Sequence, residues 1–507
     1  MLTALLLAAT FTRTLERVST MDPAMATSVY DAHAVQLVYE TPLEIDYKAR
    51  PYRLVPGFCE LPEVSPDGLT YTFRLRSRRS TLTSTDLVRS FERLRDPTVV
   101  SPNGWIMKDV DVIKALGPRA VAIRLKRRCH FFPWLMALSA CGVVGPNGEG
   151  TGSYELTHWR KNHEMVFRRR SKSEVGVGQW NPNLHCTTTT ANYNSFDTVR
   201  YLVVDDVSTR WLMFLRGELD FLGEISRDNF DSVVDADGRL NPMLERQGVK
   251  LHSIPTLEVL YLGINMKDPV LGPNKKLRQA LNAAFDYPAW EKFYNGRIVP
   301  CPTPVPPGVD GRLEKPFPYA FDLAKAKRLL AEAGYPDGID PKTGRRLVLR
   351  MSIGRASQDS REAGELAAAF YEKIGIRLEL DFKTWTAFVA AVSEGRVQLF
   401  RMGWVGDFPD AQNFLQLFYS KNMRPGPNRA AYVNPDFDLA YDAALNAKSA
   451  EERNRHWARC QEIVQEDCPW VFTHVNKAYS LVRPTLKNYV PTDFPYGVEK
   501  YYENALH

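Results

Sequence analysis

Apolar and polar positions follow two different rhythms along this chain. In the first third they describe strands and turns with short helices. Tyr71–Arg76 (YTFRLR) puts Tyr71, Phe73 and Leu75 on one face, which predicts a half-buried strand entered from a turn at Pro66-Asp67-Gly68. Ser84–Arg95 carries Leu87, Phe91 and Leu94 at helical spacing. Ser84 or Thr85 is the expected cap, and Asp86 lies in the first turn, where the helix dipole favours negative charge. Val121–Leu125 is another strand. Gly150–Tyr154 is a Gly-rich turn, and residues 171–195, with four threonines at 187–190, read as a polar loop. Thr198–Val204 predicts a strand and Val207–Arg216 a helix stopped by Gly217.

From Leu257 onward strands and helices alternate, the pattern of α/β architecture. The expected strands are Val259–Ile264, Leu347–Ile353, Ile376–Phe382 and Val397–Met402. The expected helices are Asn274–Phe285, Asp322–Ala333, Gln358–Lys373, Trp385–Ser393 and Ala450–Gln465. Residues 300–307 (PCPTPVPP) predict an extended connector without regular structure.

Composition narrows the class. The 507 residues are 44% hydrophobic, with 65 Lys+Arg against 59 Asp+Glu, a net charge of +6. That excludes a disordered, collagen-like or coiled-coil chain, and a charge so dilute makes no case for nucleic acid as a partner. The length accommodates about two to four domain-sized units. Met1–Thr10 (MLTALLLAAT) has the apolar core of a signal segment without a preceding Lys or Arg, so a weak or mis-assigned signal at residues 1–10 is the reading. No transmembrane run follows. The seven cysteines are scattered, with Cys129–Cys141 and Cys460–Cys468 as local candidates for pairing and buried thiols as the favoured alternative. None lies near the amino terminus, which argues against lipidation there.

The search for catalytic chemistry finds no Gly-x-Ser-x-Gly elbow, no His-Glu-x-x-His, no phosphate-binding loop and no metal spacing among nine histidines. No catalytic residue, metal or cofactor is expected. Gly403–Phe418 (GWVGDFPDAQNFLQLF) is the most informative segment. It follows an expected strand, and ligands of open α/β sheets bind at the strands' carboxyl ends. It sets Asp407 and Asp410 beside Trp404, Phe408 and Phe414, a composition suited to a ligand with a cationic head and an apolar body. Asp410 leads into QNFLQLF and reads as a helix cap, while for Asp407 the residues alone leave a turn or cap role and a ligand contact both open.

A series of short motifs in order resembles the extracytoplasmic solute-binding proteins of peptide-importing ABC transporters. Met21–Ala24 is similar to the family's "LDPA" opening, Pro66–Arg76 to "sDGltytFkLR" and Thr83–Pro97 to "tAeDVvyslerl.dp". Gly150–Tyr154 resembles "GTGPY", Arg216–Leu222 the "GeiD" element and Tyr261–Met266 with Leu277–Ala284 "yl.fN…vRqAla.A". Phe321–Gly334 resembles "yDpekAkaLLaeAG" and Gly403–Phe414 "gW.gDypDp.nF". The family's longer hairpin edge is reduced here to Ser77–Thr81, and the strand it places before "LDPA" is a short, polar Thr14–Thr20.

The resemblance implies an α/β, two-lobed periplasmic-binding-protein-like fold of type II with an extra domain and a ligand cleft between lobes. It implies a discontinuous first lobe (1–45, 150–256 and 476–507), an extra domain over 46–149 and a second lobe over 257–475. By position in the family, Asp407 pairs with a peptide's α-ammonium, Trp404 and Gly403 wall the pocket, and Arg355 meets the carboxylate end, with Asn265 and Tyr30 as weaker pocket residues. The expected partners are a short peptide and a membrane permease, and the expected state is a periplasmic monomer. The main alternative is the same fold binding a nickel chelate, a sugar or an opine. An enzyme and a cytoplasmic regulator are the rivals from other classes.

Overall fold

The computed structural model describes residues 9–76, 82–171, 196–225, 227–235, 239–423, 426–492 and 494–505. The shortened hairpin at Ser77–Thr81, most of the 171–195 loop with Cys186, and nearly all of the apolar start lie outside them. The chain folds as two compact units, residues 1–254 with 478–507, and residues 255–477. It crosses from one to the other twice, and strand Trp470–Val482 contributes residues to both.

In the first unit the sheet runs Phe221–Leu222, Thr10–Leu15, Thr198–Val203, Glu164–Arg169, Tyr154–Arg160. Thr10–Leu15 lies inside it, parallel to Thr198–Val203 with Phe11 opposite Val199. The expectation of a poor strand at Thr14–Thr20 is therefore corrected: the strand lies earlier, and Phe11 (fully buried), Leu15, Phe167 and Tyr201 share one core cluster. Ala9, the last residue of the signal-like apolar core, is tied to this fold by its N–H to Asp197 at 3.0 Å.

A separate four-stranded sheet orders Glu63–Val64, Thr70–Arg74, Ala120–Leu125 and Val110–Ala115. Helix Ser84–Arg95 buries Leu87, Phe91 and Leu94, the stripe seen in the sequence. Its cap is Thr83, not Ser84 or Thr85. Thr83 and Asp86 close a reciprocal capping box, which satisfies end N–H groups at both positions.

The carboxyl-terminal residues are held by buried charge. Glu499 is fully buried, bonds Arg13 Nη1 and lies 3.2 Å from His33 Nδ1. Burial alone would oppose its ionisation, but the charges of His33 and Arg13 outweigh that and bring its pKa down to about 2. Lys500 pairs with Glu44 at 2.6 Å, both nearly buried, and Tyr501 bonds the same carboxylate.

In the second unit the sheet order is Arg377–Phe382, Val348–Ile353, Leu399–Val405, Glu258–Ile264 and the first part of Trp470–Val482. Val348–Ile353 is parallel to both of its neighbours, whereas Glu258–Ile264 is antiparallel to Leu399–Val405. Helices Lys275–Ala283, Leu323–Glu332 and Gln358–Glu372 are capped by Asn274, Asp322 and Ser357. Their apolar faces (Leu277, Leu281, Leu330, Ala363, Phe370) join Ile264, Met351 and Trp290 in one core. The proline-rich stretch differs from its expectation. Ile298–Pro300 pairs as a strand with Trp470–Val482, and Cys301, Thr303 and Val305 are buried, because the sheet supplies the hydrogen bonds a free connector would draw from water. Neither local cysteine pair forms: Cys141, Cys460 and Cys468 are buried thiols. Among the described residues no helix is long and apolar enough to cross a membrane.

Candidate functional site

Three parallel strand ends define one edge of the second sheet. Val348–Ile353, Arg377–Phe382 and Leu399–Val405 run in the same direction, so Gly354–Arg355, Lys383–Trp385 and Gly406–Asp407 all leave from that edge. A carboxyl edge of this kind is where α/β sheets leave backbone and loops open to a ligand.

The last of these strands is longer than the sequence suggests. It extends to Val405, so Gly403 and Trp404 belong to the strand, paired with Leu260 and Val259, and only the residues after Val405 form the loop. Gly406 then bonds Leu257 O at 2.8 Å. A Cβ on Gly406 would stand 2.7 Å from Phe414 and 3.0 Å from Leu257, so the chain passes there only as glycine. Asp410 caps helix Ala411–Leu415, accepting the Gln412 N–H at 2.8 Å, as its position before QNFLQLF suggests. Phe408 and Phe414 are buried in the core, which leaves half-buried Trp404 as the aromatic of the trio with surface to offer.

Asn413, which no reading of the sequence singles out, joins these parts. Its side chain is fully buried. Its Oδ1 accepts the Trp404 indole N–H at 2.9 Å and the Asp407 backbone N–H at 3.3 Å, while its Nδ2 donates to Asp407 Oδ2 at 3.3 Å. Asn413 stands inside the stretch that resembles the family motif, and a buried amide three residues past a helix cap, amid Phe and Leu, is the signal that could have found it.

Asp407 is exposed to solvent yet makes no ion pair with any described residue. Surrounding protein pushes its pKa up, and the Asn413 hydrogen bond offsets part of that rise. Access to water and the density of protein nearby are separate quantities, and a carboxyl flanked by protein on some sides and open on another has both. Such a group is under-compensated: a cation that reached it would gain a charge-assisted hydrogen bond without displacing an existing salt bridge.

Arg355 follows Gly354, is exposed, and makes no hydrogen bond or ion pair with another described residue. Trp385, 62% exposed, lies against Gly354, where a Cβ would stand 2.9 Å from its ring. Gly354, Arg355 and Trp385 therefore share the edge with Asp407, and Trp385 is a second residue the sequence left without a role.

The other two candidates are placed elsewhere. Asn265 follows Glu258–Ile264, which is antiparallel to Leu399–Val405, so it emerges at the opposite edge from Asp407, roughly 20 Å away along the strand. Both of its amide hydrogens are used, to Gly395 O at 3.1 Å and Val397 O at 2.9 Å. Tyr30 belongs to the other unit. Burial, with a hydrogen bond to Glu16, pushes its hydroxyl pKa up to about 12. No group of three or more described His, Cys, Asp and Glu residues is placed to hold a metal ion.

Comparison with known proteins identifies the family and the fold. The model of bacterial extracellular solute-binding proteins, family 5 Middle, matches residues 21–425. Heme-binding protein A of Haemophilus influenzae is 26% identical over 502 residues, covering 90% of this chain and 85% of its own. The glutathione-binding protein GsiB of Escherichia coli is 26% identical over 489 residues, covering 91% and 88%. The unliganded open form of the periplasmic murein tripeptide binding protein MppA has the same fold, with a TM-score of 0.81 at 20% identity over 98% of this chain and 97% of its own. The chain belongs to family 5 of the bacterial extracellular solute-binding proteins, a family of binding proteins, not of enzymes.

Proposed function

We infer that this protein is the receptor of an ABC importer that captures short peptides outside the cytoplasm, in the periplasm, and delivers them to a membrane permease. The observation that carries the reading is Asp407: a carboxylate without a counter-charge among the described residues, held beside an indole at the carboxyl edge of a sheet. Every linear peptide with a free amino terminus offers the cation such a group lacks. Glutathione, the ligand named for one relative, is itself a tripeptide with a free α-ammonium. Arg355 and the exposed face of Trp385 supply a positive charge and an aromatic surface for the rest of the ligand.

Mass spectrometry of ligand released on denaturing the purified protein tests the reading. Di- to pentapeptides with free amino termini support it. A heme, a sugar, an opine or a nickel chelate in their place overturns it. Asp407→Ala is expected to cost about 2–5 kcal/mol in peptide affinity by isothermal titration, because the ammonium is then desolvated without its partner.

A further inference from the structure

We propose that Asn413 is the positioning residue of the ligand site, a buried amide that locks Trp404 and Asp407 into one rigid unit and so sets both the wall and the charge that a ligand's ammonium meets. This rests on the ammonium reading of Asp407 and adds to it a residue that touches no ligand.

The chemistry of the side chain is what makes the link. A primary amide offers two acceptor sites on oxygen and two donors on nitrogen. Here the oxygen takes the Trp404 N–H and the Asp407 backbone N–H, and the nitrogen reaches Asp407 Oδ2. An aspartate at 413 could keep both acceptor contacts but would set a like charge beside the carboxylate. A leucine could make none of the three. Asn413 is itself held at both ends of its own backbone, by its N–H to Asp410 O at 3.0 Å and by Gln416 Nε2 to its carbonyl at 3.0 Å. With its N–H used internally, the Trp404 indole meets a ligand through ring carbon and not through a hydrogen bond. Asp407 keeps Oδ1 for the ligand.

No charged side chain among the described residues bears on the Asp407 carboxyl; surrounding protein raises its pKa and the Asn413 hydrogen bond opposes that rise. The amide therefore keeps the site ionised to lower pH than burial alone would permit. Peptide affinity should fall on acidification, and the midpoint of that fall should depend on residue 413.

The test compares wild type, Asn413→Asp and Asn413→Ala for binding of trialanine and N-acetyl-trialanine by calorimetry between pH 4 and 8, with thermal unfolding as the control for folding. Wild type should prefer the free amine strongly. Asn413→Asp, close to isosteric, should keep the fold but unfold at a lower temperature at pH 7, because it buries a second uncompensated charge, and recover on acidification. It should bind trialanine about tenfold or more weakly at pH 7, with its pH midpoint displaced upward. Asn413→Ala, where it folds, should lose affinity at every pH and blunt the change in Trp fluorescence on binding. A wild type that ignores trialanine, or binds the acetylated peptide as well, overturns the ammonium reading. A wild type that discriminates while Asn413→Asp matches its affinity and pH midpoint overturns the role of Asn413 alone.

Discussion

Glu499 and Asp407 are both crowded by protein, yet their titrations move in opposite directions. Glu499 has Arg13 and His33 against it and sits at about 2; Asp407 has one neutral amide and is pushed up. The contrast separates a carboxylate whose electrostatic partners are built in from one whose partner must come from outside. Dense protein nearby is common to both, although Glu499 is closed to solvent and Asp407 is open to it. What distinguishes structure from function here is compensation, and a crowded charge without compensation is a place for a ligand.

The sharpest way to break this contrast is to remove the built-in pair. Glu499→Gln leaves Arg13 buried without its counter-ion and is expected to cost about 3–5 kcal/mol of stability in urea unfolding; a loss within 0.5 kcal/mol, the usual scatter of surface substitutions, would mean the pair is incidental. Asp407→Asn is expected to do the reverse: most peptide affinity goes, while the ligand-free protein melts at the same or a slightly higher temperature, since an uncompensated charge has been removed. A drop of several degrees in the melting temperature would place Asp407 with the structural residues.

Acid sharpens the comparison further. Glu499 has an ordinary value of 4.5 and a folded value of about 2, so its contribution is complete above the first and lost as pH falls through the second. Asp407 has the opposite sign. Its folded value is raised, so it costs stability at neutral pH and that cost is relieved on acidification, while its capacity to pair with an ammonium is lost over the same range. Acidification is thus expected to release the peptide before the fold is lost. Parallel titrations of bound ligand and far-ultraviolet circular dichroism would show coincident transitions if this is wrong. The smallest effect belongs to the neighbouring acid. Asp410→Ala removes a cap and should cost about 1 kcal/mol of stability, with affinity changed less than by either substitution at 407.

Periodicity made most elements legible. Leu87, Phe91 and Leu94 marked a helix face that is buried, and the alternation in 71–76 marked a strand, because local spacing alone decides which side chains can reach a core. Features that depend on distant partners were misread or missed. Thr10–Leu15 is polar at four of its six positions and becomes a strand because Thr198–Val203 and Phe221 flank it. Gly403 and Trp404 looked like the start of a loop, but Leu260 and Val259 hold them in a ladder. At the site, Asp407 and Trp404 were visible as a charge beside an aromatic, whereas Asn413 acquires meaning only once the loop folds back on the strand. Asn265 was misplaced for a related reason: its position at a strand end is visible in one dimension, but the direction of that strand is not.

The ion pair between Arg13 and Glu499 spans 486 positions of chain. Closing a loop of that length costs roughly 5 kcal/mol of chain entropy. During translation the first unit therefore cannot finish until the last few dozen residues leave the ribosome, whereas residues 255–477 are contiguous and can complete their own sheet earlier. A chain stopped just before Glu499 should yield a protease-resistant core from the second unit and a first unit that is cleaved readily. The earliest described strand meets its sheet partners by residue 221, but Arg13 within it waits for Glu499, so the charge nearest the start of the chain is among the last to be paired.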